Sequence, residues 1–523
     1  MSLLPKHVTI LGAGLTGLST AYHLCHLLPS IRITILERSR AGGWIDSRKI
    51  PVGFKSEDGS LVEGEVVIET GPRTIRPRGS KGAASMLKMI HGIGLHNSIR
   101  PVTFSHPSAK NRFLLDISTS KLTALPSSAL SLLGPQPPLL QGLLTSCLVE
   151  LFKRSGGPPR LTVDNDESVD SFFRRRFGDR IANNMASAMV HGIHAASSTQ
   201  LSLRAAFPVL WEAEKQYGSA TAGLLLGTKT KSQKAAEKQE WTELTKLGVD
   251  SKKWSLYGLE GGLGIIIDKL LDVVKRNNVE ISLNERATKI EPTNHDLIVH
   301  TTHRSLSTSS IISALPTHQL SPLLPTSFPN LTYNPYTSVG VINIVYPLQP
   351  SQVHPAGFGY LIPHAPAGSV NPTGVLGVIF DSTVLPGNEF DSKVTKLTVM
   401  MGGPYWSTYE PHITPPTDAE ELVHQAVEHL HTVFPHLRSY EPIFTQANLH
   451  QDCIPTYLPG HGSRLNELYS AIENSEWKGK LSLVGNAYGG VGVNDCVYSG
   501  REVARGLAEG KAVNGLEAWS NWQ

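Results

Sequence analysis

Apolar and polar positions alternate in two rhythms along this chain. Residues 7–11 form a continuous apolar run, the pattern of a strand buried on both faces. Residues 15–28 then carry apolar positions at helical spacing, and 31–37 return to a strand. Together they predict a βαβ unit at the start of the chain. Residues 83–218 read as mainly helical, with Pro/Ser/Gly-rich joints at 124–138 and 156–159. The densely charged stretch 229–253 reads as a solvated helix or surface excursion and is assigned no chemistry. Beyond it, 265–275 predict a helix, and 279–283 and 311–315 predict strands. Apolar runs at 338–346, 375–380 and 397–401 predict a sheet. A strand at 481–484, a glycine-rich turn and a helix through 497–506 close the chain.

Composition narrows the picture without naming a chemistry. At 523 residues, 40% hydrophobic and 17% charged, the chain is long enough for two or three packed lobes. Its net charge of +3 includes no polybasic run, so nucleic acid is excluded as an expected partner. Cys25, Cys147, Cys453 and Cys496 lie too far apart to propose a disulfide framework or a zinc site, which favours a reducing compartment. The first residues run straight into a strand, so no presequence is expected and any organelle address would be internal. The longest uncharged stretch, 122–149, is broken by Pro126, Pro135, Pro137 and Pro138, which argues against a spanning helix. It reads either as a lobe packed on the protein's own core or as a segment dipping into one leaflet.

The candidate chemistry begins between the first strand and helix, at Gly12-Ala13-Gly14-Leu15-Thr16-Gly17. A glycine at 14 lets a pyrophosphate approach the backbone, and one at 17 lets helix and strand pack closely. Glu37 follows Gly17 by 20 residues, at the end of the second strand, where a carboxylate can bind both ribose hydroxyls. Arg38 and a second glycine pair, Gly42-Gly43-Trp44, come next, and then Gly71-Pro72-Arg73-Thr74 after a strand-like run. Near the C-terminus, Gly485-Asn486-Ala487-Tyr488-Gly489-Gly490-Val491-Gly492-Val493 opens a helix whose amides can meet a cofactor. His191 and His194 share a helix face, yet no third ligand is evident, so no metal is predicted.

Taken in order, these segments resemble the amine-oxidase-like FAD superfamily. The wording of Gly42-Gly43-Trp44-Ile45, Gly71-Pro72-Arg73-Thr74-Ile75-Arg76-Pro77, Asn111-Arg112-Phe113, Gly357-Phe358-Gly359-Tyr360-Leu361, Val399-Met400 and Val493-Asn494-Asp495-Cys496 resembles its protoporphyrinogen oxidases over nearly the whole chain. The resemblance implies an α/β protein: a Rossmann-type FAD-binding domain drawn from 1–82, 255–325 and 440–523, a substrate domain on a mixed sheet over 326–439, and a mainly helical membrane-associated lobe over 83–220. The charged excursion, taken as 221–254, is longer than the family would lead one to expect.

The resemblance also implies non-covalent FAD, held by the residues of the Gly12–Gly17 loop, by Glu37, Arg38, Gly43, Trp44, Gly71, Pro72, Arg73 and Thr74, and by Ala287, Asn486, Val491, Gly492 and Val493. Much of the superfamily has Asp where this chain has Asn486, and an amide keeps the hydrogen-bonding role. Arg73 reads equally as a structural clamp. In the implied substrate site, Phe358 and Leu361 sandwich a pyrrole ring, Met400 packs from the opposite side, Arg112 pairs with a propionate and Gly192 lets the backbone approach. By spacing alone the first three read as core residues and Arg112 as a surface ion pair.

The implied reaction takes protoporphyrinogen IX to protoporphyrin IX in three two-electron steps. Flavin N5 accepts hydride, O2 serves as oxidant and no side chain acts as acid or base. The implied partners are a membrane surface, namely the mitochondrial inner membrane reached through Leu139, Leu140, Leu143 and Leu144, together with ferrochelatase and a second copy of the chain as a homodimer. A flavin amine oxidase and a non-enzymatic prenyl-binding escort on the same fold are the alternative readings.

Overall fold

The computed structural model describes residues 4–522 apart from 57, 128–130, 132, 133, 135, 154–165, 294, 295, 365–370, 386, 388 and 410–412. The expected joint at 156–159 and Pro135 lie outside the described residues.

A five-stranded parallel sheet organises one half, in the order Leu481–Leu483, Ser310–Ser313, His7–Leu11, Arg32–Leu36, Glu280–Ser282. His7–Leu11 is central and buried along its whole length, as its apolar run requires. Val8 and Ile10 point to one face, where they join Leu18, Ile266 and Val497 of the helices Leu15–Leu27, Gly264–Arg276 and Val493–Ala508. Leu11 and Ile311 lie in a second core, with Val299 of a three-stranded antiparallel sheet and Leu468 of the helix His461–Glu473. Leu36, Leu11, Ser313 and Leu483 stand in register across four strands. The residues that follow them, Gly12, Glu37, Ala314 and Val484, therefore leave the sheet along one edge, where parallel α/β sheets bind ligands.

The other half is a seven-stranded sheet in the order Phe444–Pro455, Tyr336–Tyr346, Thr395–Gly402, Val375–Ile379, Gly359–Leu361, Phe113–Asp116, Lys121–Ala124. Every pair is antiparallel except Gly359–Leu361 with Phe113–Asp116, so the sheet is mixed. One face is covered by the helix Ala419–Val433, whose Leu422, Ala426 and Leu430 pack on Ile342, Tyr360, Val378 and Val399.

The expectation of a helical stretch over 83–218 holds only outside 99–124. Ile99–Thr103 pairs with Trp254–Leu259, while Phe113–Asp116 and Lys121–Ala124 complete the seven-stranded sheet. These strands are short and their partners lie far away in sequence, so tertiary pairing outweighs local pattern. The charged stretch is more firmly attached than an excursion. Lys231–Lys246 is a helix opened by a Thr230/Gln233 capping box. Leu244 is buried in the first core, Trp241 packs beside it, and Glu240 and Glu243 pair with Arg501 and Lys88.

The uncharged stretch corrects the expected anchor. Leu140 and Leu143 are buried, and Leu139 packs with Leu140 against Ala188. Exposed apolar side chains cluster at Leu148 and Val149, the end of that stretch, and Phe152 of the helix Leu143–Phe152, and at Leu224, Leu225 and Leu226 of Ala220–Leu226, with Phe152 83% exposed. Glu150, beneath them, accepts hydrogen bonds from Ser219 Oγ (2.6 Å) and from the backbone N–H of Ala220 (2.9 Å), which pins the two helices together. Glu150 also pairs with buried Arg176. Burial alone would raise the Glu150 carboxyl, but Ser219, Thr221 and Arg176 outweigh it and hold the group at about 2. Among the described residues, no helix is long and apolar enough to cross a membrane.

Candidate functional site

The glycine-rich turn after the first strand converges with four other segments. Gly14 forms a parallel bridge with Gly42, and the Gly42 N–H donates to Ala13 O at 2.9 Å. Gly17 is fixed by contact: a Cβ there would lie 1.9 Å from Gly12 O. Glu37 turns its carboxylate inward, accepting the Ala13 N–H at Oε2 (2.9 Å) and the Ser39 N–H at Oε1 (3.0 Å), with lone pairs left for a ribose diol. The Glu285 N–H donates to Glu37 O at 2.8 Å, which places Ala287 two residues from that corner. Gly71 lies against the Trp44 carbonyl, where a Cβ would approach to 2.1 Å. Arg38 stands exposed on the loop, and Pro72 and Thr74 are half-buried.

The C-terminal segment closes the ring. Gly485 faces Thr16, and Tyr457 Oη accepts the Gly490 N–H (3.1 Å) while donating to Asn486 O. The Asn486 amide donates to Cys453 O at 3.2 Å. Val491 packs on the helical lobe and Val493 on the nucleotide-side core. Behind Gly490 and Gly492, burial pushes the Asp495 carboxyl up to about 6.

Both helices that open on this ring, Leu15–Leu27 after Gly14 and Val493–Ala508 after Gly492, lack a side-chain N-cap. The Asp495 N–H bonds Gly492 O at 3.0 Å, but the amides ahead of it and those opening the first helix have no side-chain cap, and the helix dipole favours an anion there. With the Glu37 carboxylate held beside them, the residues present fit a dinucleotide.

The seam to the other sheet is polar and buried. Arg73, 6% exposed, pairs with Asp381 (2.8 and 3.0 Å) and bonds Thr398. This is the clamp geometry, and it joins the 71–74 segment to the strand Thr395–Gly402. Thr398 donates to Asn343 Oδ1 (2.8 Å), and Asn343 donates to Glu69 O (3.1 Å). The Glu69 carboxylate accepts from Ser47 Oγ (2.7 Å) and from the Leu263 N–H (2.7 Å) at the start of the helix Gly264–Arg276. Burial raises it to about 7 despite those bonds and the nearby Arg73.

Across the sheet, Leu361, Gly377, Met400, Val341 and Asn448 stand in register on five adjacent strands. Residues in register share a face, here the one opposite the helix Ala419–Val433. Leu361 and Met400 therefore do not oppose each other as expected. They flank Gly377 on one floor, two strands and roughly 10 Å apart. Met400 packs in a cluster with Trp44 of the nucleotide half, Val341 and Ala195. A Cβ on Gly192 would meet the Leu361 methyls at 2.7–2.8 Å, so the helix Ser187–His194 lies directly on this floor. His191 holds that helix down, with Nδ1 2.8 Å from Ile362 O and Nε2 2.8 Å from Tyr409 Oη. Burial lowers His191 and His194 to about 4, so both are neutral.

Phe358 packs with Val102, Leu256 and Val384, and the Arg112 guanidinium lies 5.7 Å from its ring centre. Arg112 Nε is buried without a hydrogen-bond partner, and the side chain has no ion pair among the described residues. Burial, and secondarily the charge of Arg76, lower its pKa.

Residues 15–508 match the family described as flavin containing amine oxidoreductase. A protoporphyrinogen oxidase of Schizosaccharomyces pombe is 34% identical over 514 residues, covering 96% of this chain and 98% of that protein. The chain belongs to the flavin-containing amine oxidoreductases, in their protoporphyrinogen oxidase branch. The protoporphyrinogen oxidase of Homo sapiens is 32% identical over 505 residues, covering 95% of this chain and 98% of its own. A solved structure from Exiguobacterium sp., provisionally assigned as a protoporphyrinogen oxidase, shares the fold with a TM-score of 0.72 at 22% identity, over 96% of this chain and 99% of its own.

Membership in this family brings a flavin cofactor. Sequence reasoning passed over Gly377, Asn448 and Asp381, and quoted Arg76 within a motif without giving it a role. Gly377 did leave a signal, because an isolated glycine inside an apolar strand marks close approach.

Proposed function

We propose that this chain oxidises protoporphyrinogen IX to protoporphyrin IX with non-covalent FAD, passing electrons to O2. The observation that carries the reading is Arg112, a half-buried guanidinium without an ion pair among the described residues, at the end of an apolar floor. That combination suits a flat hydrophobic macrocycle bearing a carboxylate, which Arg112 can bind bidentately. Leu361 and Met400 offer apolar surface on either side of Gly377, and the neutral His191 keeps the helix above them in place without adding charge. Among the described residues no acid–base dyad faces this floor, and the protein's contribution is orientation and exclusion of water. When bound, the flavin supplies the two-electron acceptor for hydride leaving a meso carbon and passes the electrons to O2 as H2O2.

Non-covalent binding is supported by the four thiols. Burial pushes Cys25 up to about 11 and Cys453 and Cys496 to about 12, and raises Cys147, so none is a thiolate poised for attachment. Acid precipitation is expected to release all the yellow colour into the supernatant; colour in the pellet contradicts it.

The reaction is tested by incubating the purified protein aerobically with protoporphyrinogen IX and following porphyrin fluorescence. Arg112→Ala should raise KM about tenfold or more with flavin content unchanged. An unchanged KM removes Arg112 from the site.

Attachment to a membrane surface is part of the same proposal, through Leu148, Val149, Phe152 and Leu224, Leu225 and Leu226. A Phe152→Asp/Leu225→Asp variant that keeps its flavin should no longer pellet with membranes; one that still pellets excludes this surface.

A further inference from the structure

Arg112 lies beside Phe358, and a second arginine on a neighbouring segment, Arg76, has no role in the reaction above. Ile75 is fixed to Tyr257 by two backbone bonds, N–H to O at 2.8 Å in one direction and 2.9 Å in the other. Tyr257 adjoins Leu256 in the strand Trp254–Leu259, and Leu256 packs with Phe358 in one apolar cluster. The next residue after Ile75, Arg76, turns out into solvent. Its carbonyl accepts the Asn494 side-chain N–H at 2.9 Å, and Asn494 is buried in the first turn of the helix Val493–Ala508. Backbone bonds therefore hold Arg76 on both sides, while its guanidinium has no ion pair among the described residues.

In the antiparallel bridge of Ile75 with Tyr257, Arg76 comes opposite Leu256, which shares an apolar cluster with Phe358, and Arg112 lies beside that ring, so the two arginines reach the same cluster from different elements. Like charges brought together without an acid between them are unfavourable until an anion arrives. A substrate with a single carboxylate would leave one guanidinium unmatched. We infer that Arg76 is a second carboxylate-binding residue, so that the site reads a dicarboxylate with one acid on Arg112 and the other on Arg76. This rests on the proposed function, whose substrate carries propionates on two neighbouring rings.

The test compares wild type, Arg76→Gln and Arg76→Lys on protoporphyrinogen IX and on its dimethyl ester, with bound flavin measured in each protein. On the free acid, Arg76→Gln should raise KM about threefold to tenfold with kcat and flavin content unchanged, and Arg76→Lys should recover part of the loss. On the ester, wild type and Arg76→Gln should have the same KM. An unchanged KM on the free acid, or an equal rise on both substrates, overturns the inference. Wild-type protein that oxidises neither form overturns the proposed reaction, and this inference with it.

Discussion

The two sheets build their halves of the candidate site by different means. On the parallel sheet the geometry is local: Gly12, Gly14, Gly17 and Glu37 lie within one βαβ unit, and backbone amides and contacts too tight for a Cβ set the shape. On the seven-stranded sheet it is long-range. Leu361, Gly377 and Met400 meet only because three strands share a register, and Gly192 reaches them from a helix. The first half gains its shape from backbone that leaves no room for a Cβ at Gly17 and takes a positive φ at Gly12. The second is a floor of ordinary apolar side chains, open to change in what it accepts.

That contrast fixes where changes should hurt most. Gly17→Val forces a side chain into the Gly12 carbonyl, so the purified variant should carry no flavin absorbance; a yellow variant would break the comparison. Glu150→Ala removes the nearer carboxylate partner of Arg176, 2% exposed, leaves it only the longer pair with Glu214 (3.5 Å), and strips the bonds that pin Ser219 and Ala220, so it should cost about 3 kcal/mol, read as a fall in Tm.

Glu69 tests the seam itself. Folded protein holds its proton to about 7, against 4.5 for an ordinary glutamate, so the folded state binds more protons than the unfolded one between these values. Stability contributed by this group therefore falls as pH rises from 4.5 to 7, by about 3 kcal/mol. Glu69→Gln should remove that part of the slope in denaturant titrations; an unaltered slope would mean that Glu69 ionises normally. The smallest effect is expected at Gly192→Ala, which displaces the Leu361 methyls and should raise KM about threefold, near 0.7 kcal/mol, without touching flavin content. Loss of flavin there would erase the distinction between the halves.

The same contrast explains what the sequence could tell. The Gly12–Gly17 loop and Glu37 were legible because their partners sit within a few tens of residues and turn chemistry names them. The strand His7–Leu11 and the helix Leu15–Leu27 fall where the apolar pattern puts them, to within a residue. The Arg73–Asp381 clamp joins residues 308 apart, and nothing local distinguishes it from a cofactor contact. That Met400 and Leu361 share one sheet face, on either side of Gly377, was not legible, because strand register cannot be read from one strand alone. The apolar surface was placed only in part for a related reason: composition marked 122–149, whose end at Leu148 and Val149 is exposed, but neighbours cover Leu140 and Leu143 and leave Leu224, Leu225 and Leu226 bare.

The central claim is that the apolar floor presents protoporphyrinogen IX to a flavin held by the parallel sheet. Anaerobic mixing of the flavin-loaded protein with protoporphyrinogen IX tests it most directly. The visible flavin absorbance should bleach as porphyrin absorbance grows, and admitting O2 should restore it. A flavin that stays oxidised, in protein that is yellow and folded, would contradict the account.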